Sequence, residues 1–258
     1  MGAPVVLDRR QLGSNGPLIS TIGFGAFKIG RNEGIKYEHS YDLPTDEQVA
    51  SLIHGLLQAG VNYFDTAPAY GLSEKRLGEH LPASDQIIVS TKVGETFQDG
   101  RSTHDFSAGG IDQSIDRSLR LLRRPRLDIV FIHSDGNDLS ILESSDAIPA
   151  LRRRQEAGDI GVMGFSGKTL QGHEHALSLD VFGALMVEYN LGNREQEPIL
   201  AKAQARGVGV VIKKGLGSGT LDPHEAIPFL AKEPITSIVV GGLDLDHLLD
   251  DVRLATQV

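Results

Sequence analysis

Eight times along this chain a short apolar run is followed by a stretch with apolar residues at helical spacing, and that alternation constrains the fold most. Strands alternating with helices imply parallel βαβ units. The runs are GFGAFKIG, VNYFDTA, IIVSTKVG, LDIVFIHS, GVMGFSG, ALMVEYN, VGVVIKKG and ITSIVVGG. The helical stretches predicted after them are 45–59, SEKRLGEHL, 111–122, 147–157, 169–179, 197–206, 224–231 and 246–254. The first has an N-cap candidate in Thr45 and an apolar stripe of Val49, Leu52, Ile53, Leu56 and Leu57. Eight such units fit the roughly 250 residues of a closed α/β (β/α)8 TIM barrel. With no linker-like stretch, residues 1–258 read as a single domain. An open, doubly wound sheet is the alternative. Ahead of the first unit, 5–12 and 18–22 flank the turn GSNG, which predicts an N-terminal β-hairpin.

Composition narrows the function. There is no cysteine, so disulfides, thiolate metal sites and cysteine nucleophiles are excluded. The net charge is −9, and the basic clusters at 117–126 and 152–154 interleave with leucine at helical spacing. They read as solvated helix faces, so no nucleic-acid partner is expected. The opening MGAPVVLDRR lacks an apolar leader core, and Val6 breaks the myristoylation pattern. No apolar run approaches ~18 residues, so no membrane partner is expected and the expected location is cytoplasmic.

In a barrel of this kind the active site lies where the strands end. The predicted strands deliver Asp65, Lys92, His133, Ser166, Glu188, Lys213 and Gly241 there, with Tyr70 in the loop above. Each has an ordinary reading: the aspartate as a turn cap, the lysine snorkelling, the histidine as a satisfied structural residue, the tyrosine as surface packing. Gathered at one mouth, they form a device for activating a phenol. A free tyrosine has a pKa of ~10. A neighbouring ammonium favours the phenolate, and a carboxylate keeps that buried ammonium charged. A histidine alongside can hydrogen-bond a substrate oxygen or relay the proton. Tyr70 is then a general acid for a carbonyl being reduced.

NYFDTAPAYG, VSTKVG and DIVFIHSDG resemble three signature segments of the aldo-keto reductase superfamily. Asp65, Tyr70, Lys92 and His133 match that family's catalytic tetrad. The resemblance covers nearly the whole chain. It implies a (β/α)8 barrel whose opening hairpin closes the bottom, a nicotinamide cofactor, NAD(P)H, and a small-molecule carbonyl substrate (an aldehyde, a ketone or a sugar). A monomer is the family-like default. The implied cofactor contacts are Gly25, Ala26 and Phe27 at the first strand exit, Asp65, and Ser166 toward the carboxamide. Gly215, Leu216 and Gly217 follow along the pyrophosphate, with Gly241 and Gly242 after the last strand. The chain departs from the family pattern at Gly167, Met186 and Lys213, where the family often places Asn, Gln and a nicotinamide-stacking aromatic. NADP-selective relatives carry Lys and Arg at the start of the last helix. Here Gly241 and His247 stand there, with Asp244 and Asp246 between them, so the expectation leans to NAD(H) or dual use.

Two other motifs are set aside. GLGSGT lacks the third glycine of a dinucleotide fingerprint and the acidic strand end ~20 residues on. GHEHAL places His173 and His175 two residues apart, diverging on a helix, so no metal site is expected. Two rival functions remain: a catalytically silent nucleotide-sensing or regulatory subunit of the same fold, and a Schiff-base aldolase using Lys92, Lys213 or Lys214. Ending at Val258, the chain has almost none of the C-terminal tail that shapes specificity in the family. Residues 95–107, after the third strand, are the expected lid.

Overall fold

A computed structural model describes residues 7–35 and 40–256. The segment 1–6, the first two residues of the expected hairpin arm and the final residues through Val258 lie outside the described residues.

The chain opens with an antiparallel pair, β1 (Arg9–Gln11) and β2 (Leu18–Ser20). Eight parallel strands then close into a barrel. Its first three members are β3 (Ile22–Gly25), β4 (Tyr63–Asp65) and β5 (Ile88–Val93). An antiparallel pair, β6 (Glu95–Gln98) and β7 (Arg101–His104), interrupts the series. The barrel resumes with β8 (Leu127–His133), β9 (Ile160–Ser166), β10 (Ala184–Glu188), β11 (Gly209–Lys213) and β12 (Ser237–Val240), which pairs back to β3. The open-sheet alternative is thereby removed.

Around the strands lie α1 (Asp46–Gln58), α2 (Ser73–His80), α3 (Ala108–Leu122), α4 (Asp138–Ser144) and α5 (Ala147–Glu156). The outer ring is completed by α6 (Leu170–Ser178), α7 (Glu197–Ala205), α8 (Pro223–Ala231) and α9 (Leu245–Ala255). Thr45 caps α1 as its sequence predicts: its hydroxyl accepts from Gln48 N, and the Gln48 side chain accepts from Thr45 N. Of the basic clusters, Arg117 and Arg120 lie on α3 and Arg153 and Arg154 on α5, where Arg153 reaches Asp112 and Arg154 reaches Asp116 and Asp159, while Arg123, Arg124 and Arg126 follow the end of α3.

Two apolar layers follow from the period-2 alternation of strand side chains. Outward residues such as Phe64, Val89, Val130 and Ile132 pack against the helices. Inward residues fill the barrel: Tyr63, Ile88, Ile129, Phe131, Ala184, Met186 and Val211. Leu12 and Ile19 of the opening hairpin join that inner cluster, so the hairpin plugs the bottom as expected. Asn62 fastens it there, its amide donating to Leu18 O and Gln86 O while its side-chain oxygen accepts from Ser20 N. Truncating a plug residue such as Leu12 to alanine removes a buried side chain from a closed packing, for a loss of roughly 2–5 kcal/mol.

The same alternation sets up the other end. Asp65 follows Tyr63 by two, Lys92 follows Ile88 by four, His133 follows Phe131 by two, and Lys213 follows Val211 by two. All four therefore share the inward face, in the last layer before solvent.

Candidate active site

Lys92 is buried at this end and its ammonium is fully engaged. Nζ donates to Asp65 Oδ1 at 2.8 Å, to Asp65 Oδ2 at 2.7 Å and to Thr66 O at 2.9 Å. Asp65 Oδ1 also accepts from Ser90 Oγ at 2.6 Å, which in turn contacts the Tyr63 hydroxyl. Burial pulls the lysine pKa down, but Asp65 and Tyr70 together more than offset it, and the group sits above the ordinary lysine value. The ammonium is therefore retained at neutral pH.

Tyr70 closes a 3₁₀ turn, Pro68–Tyr70, just past β4. Two glycines allow this turn to dock. A Cβ on Gly30 would meet Tyr70 O at 2.1 Å, and one on Gly71, which has φ of 60°, would meet Gly30 O at 2.3 Å. Leu72 N donates to Gly30 O across the same approach. Phe27 stands edge-on to Tyr70 at 5.1 Å between ring centres, and Lys92 Nζ lies 4.8 Å from the tyrosine ring centre. The sequence reading expects Lys92 to lower the Tyr70 pKa, and it does act in that direction. Burial is the larger influence, however, and Asp65 adds to it, so the phenol lies above its ordinary value and stays protonated.

His133 faces Tyr70 edge-on at 6.5 Å. Its Nδ1 lies 2.9 Å from Glu95 Oε2. Glu95 begins β6, so the expected lid is a hairpin whose first residue touches the site. Burial works to raise the Glu95 pKa, yet His133, with Ser102 and His104, together outweighs it and brings the carboxyl to about 2. Burial lowers the His133 pKa, against the raising effect of Glu95 and with help from Lys92 and Lys213. The direction that follows at neutral pH is a neutral imidazole beside a carboxylate.

The departures at Gly167 and Lys213 are linked. A Cβ on Gly167 would lie 2.6 Å from Phe165 Cε1 and 3.1 Å from both Asp138 Oδ2 and His173 Nε2, so no asparagine fits without rearrangement. Lys213 Nζ reaches across instead, donating to Ser166 Oγ at 3.0 Å and Gly167 O at 2.8 Å. Burial brings the Lys213 pKa to about 7. Buried His173 contacts Gln196 through Nδ1 and leaves Nε2 without a partner, whereas His175 faces Glu143 at the surface, so the two histidines do diverge. Among the described residues no group of three or more His, Asp or Glu side chains is placed to hold a metal ion.

Sequence reasoning passed over Asp138, which anchors the exit of β9. Its Oδ2 accepts from Lys168 N, Thr169 N and Thr169 Oγ1, and its Oδ1 accepts from the Ser134 hydroxyl.

The remaining expected cofactor residues ring the same end. Gly25 pairs with Asp65 across β3 and β4, and Ala26 N donates to Asp65 O. After β11, Gly215 is buried, Leu216 and Gly217 are half-buried, and Gly217 and Gly219 take positive φ. A Cβ on Gly219 would meet nothing within 4 Å, whereas one on Gly215 would meet Leu230 at 2.8 Å and one on Gly217 would meet Thr220 Oγ1 at 2.6 Å, so the open space lies at Gly219. Gly241 and Gly242 follow β12, and Gly241 is exposed. Asp244 caps α9 by accepting from His247 N, so an acidic side chain already occupies that helix start. The donors at this end fit a nicotinamide nucleotide.

A surface hollow of about 790 Å³ lies at the opposite end, among Arg10, Gly207, Glu233 and Thr236, and includes none of these groups. No helix among the described residues is long and apolar enough to cross a membrane.

Comparison with known proteins agrees with this geometry. The model of the Aldo/keto reductase family matches residues 21–235. A solved structure from Pseudomonas aeruginosa, provisionally assigned as an aldo-keto reductase, superposes with a TM-score of 0.88 at 38% identity, over 96% of this chain and 95% of that one. L-Galactose dehydrogenase of Arabidopsis thaliana is 32% identical over 229 residues, 83% of this chain and 67% of the relative. D-threo-Aldose 1-dehydrogenase of a Pseudomonas species is 27% identical over 238 residues, 81% of this chain and 70% of the relative.

Proposed function

The chain belongs to the aldo/keto reductase family of oxidoreductases, and from that premise we propose that it interconverts a carbonyl and an alcohol on a polyhydroxylated, aldose-like substrate, using a nicotinamide nucleotide. The observation that carries the reading is the contact of the Asp65–Lys92 pair with Tyr70 at the mouth that His133 also faces. Both curated relatives are named as dehydrogenases of sugars, which supports the aldose class.

In the reducing direction Tyr70 donates its proton to the carbonyl oxygen. Burial favours the protonated phenol, the form a general acid needs at rest. As that proton leaves, the Lys92 ammonium stabilises the phenolate, and Asp65 keeps Lys92 charged. Charge thus develops against a preset cation, in a site that excludes most water. The nicotinamide, when bound, supplies or accepts the hydride. Ser166 and Lys213 offer the hydroxyl and amine that would hold its carboxamide, and the backbone of Gly215, Leu216 and Gly217 would lie along the pyrophosphate. A monomer with NAD(H), alone or alongside NADP(H), completes the reading.

The test is a panel of aldoses, simple aldehydes and ketones, assayed in both directions with each nucleotide and followed by nucleotide absorbance. Turnover of aldoses supports the proposal. A protein that binds the nucleotide yet turns over no carbonyl or alcohol contradicts it and favours the regulatory rival.

A further inference from the structure

Lys213 brings an amine to the mouth that no carboxylate answers. Glu188, its register partner on β10, is taken by Lys214 at 2.5 Å. Lys213 Nζ donates instead to two neutral oxygens, Ser166 Oγ and Gly167 O. An ammonium has three N–H donors, so one is left for a ligand. Ser166 Oγ accepts from the lysine, which leaves its own hydroxyl hydrogen for the ligand as well.

The unanswered charge has a consequence for a nicotinamide held by these two groups. The oxidised ring is a cationic pyridinium, and the reduced ring is neutral. A carboxamide that accepts from Lys213 is bonded directly to that ring. Two like charges so close, where water is scarce, repel. The neutral ring meets no such opposition. An aromatic side chain at this position would act the other way, because a ring face attracts a cation.

We propose that Lys213 is a specificity-determining residue for the oxidation state of the nucleotide: its ammonium disfavours the oxidised ring and lets the reduced ring bind. The inference rests on the nicotinamide reading above and goes beyond it, since that reading does not say which form is held more tightly.

The charge is one that pH can remove. Desolvation brings the Lys213 pKa to about 7, with Lys214, Lys92 and Lys168 acting in the same direction and Glu188 against it. His133 and His173 also face Lys213, and both lie below 6.5, His173 at about 4. Lys92 and Tyr70 lie above their ordinary values. Below pH 7 the ammonium repels the oxidised ring, and above it the neutral amine does not. Affinity for the oxidised nucleotide therefore rises with pH, while affinity for the reduced nucleotide stays level.

Equilibrium binding tests this without turnover. Calorimetric titration gives Kd for the oxidised and the reduced nucleotide, as NAD(H) and as NADP(H), at pH 6 and pH 9. In the wild type the ratio of Kd for the oxidised form to Kd for the reduced form is expected to fall about tenfold from pH 6 to pH 9, the scale set by displacing a proton from a group that titrates one unit above the lower pH. Lys213→Met is expected to hold the ratio constant, and Lys213→Arg to keep the acid-side ratio at both pH values. A ratio independent of pH in the wild type overturns the proposal. So does a ratio that falls just as far in a folded Lys213→Met protein. If the wild type binds no form of either nucleotide, the nicotinamide reading fails and the inference with it. If both forms bind equally well at both pH values, that reading stands and only the role of Lys213 is lost.

Discussion

Lys92 Nζ lies 2.8 and 2.7 Å from the two oxygens of Asp65, and neither side chain reaches solvent appreciably. Two buried opposite charges with full hydrogen bonding hold each other in place, and removing one strands the other. Lys92→Met should therefore do more than stop catalysis. It should destabilise the fold by roughly 3–5 kcal/mol, the usual scale for an orphaned buried charge. Denaturant unfolding alongside kcat measures both. A stable, active Lys92→Met protein would show that the pair neither supports the barrel nor serves Tyr70.

His173 makes a prediction about acid. Burial, with Lys213 nearby, brings its pKa from 6.5 to about 4. The unfolded chain takes up a proton near pH 6.5 that the folded one refuses until about pH 4. Stability thus falls as pH drops through that window, by about 1.4 kcal/mol per unit and roughly 3 kcal/mol in all. Above pH 6.5 both states are neutral and the term vanishes. Urea unfolding of wild type and His173→Gln at pH 7 and pH 4.5 should show a shallower acid loss in the variant. Equal losses would mean that His173 takes up its proton in the fold as readily as outside it.

The start of α9 makes a prediction about the nucleotide. Asp244 caps the helix, Asp246 is exposed in its first turn, and His247 is exposed with its ring 3.9 Å from Asp244. A 2′-phosphate there meets carboxylates. The helix terminus offsets only ~0.3–1 kcal/mol of that. The ratio of kcat/KM for NADH over NADPH should be near one or above it. Asp246→Asn with His247→Arg should move it at least ~10-fold toward NADPH, since arginine adds charge-assisted hydrogen bonds to phosphate. An NADPH advantage of a hundredfold in the wild type contradicts this.

The sequence spoke most clearly where packing repeats. Eight apolar runs can be read because each strand is buried on both faces, and the inward parity that carries Asp65, Lys92 and His133 follows from it. The β6–β7 hairpin leaves no strand pattern in the sequence because RSTH is exposed at every position and shows no alternation. Its signal was the Asp99–Gly100 dipeptide, both residues at positive φ, the pair that two-residue hairpins demand. Missing that hairpin hid Glu95. Helix α4 was missed because DLSILES is short, and with it Asp138, whose acceptors serve backbone groups thirty residues away. Lys213 was visible as a departure, but that its amine would fill the space over Gly167 depends on contacts between β9 and β11 that no local pattern records.

The account stands or falls on the phenol of Tyr70. Tyr70→Phe keeps the ring against Phe27 and Lys92 and removes only the hydroxyl. With nucleotide affinity measured by titration and carbonyl reduction by steady-state kinetics, kcat should fall at least ~100-fold, the scale of a lost general acid, while nucleotide binding stays within about twofold, since no contact to it is removed. A Tyr70→Phe enzyme that keeps wild-type kcat would contradict the mechanism outright.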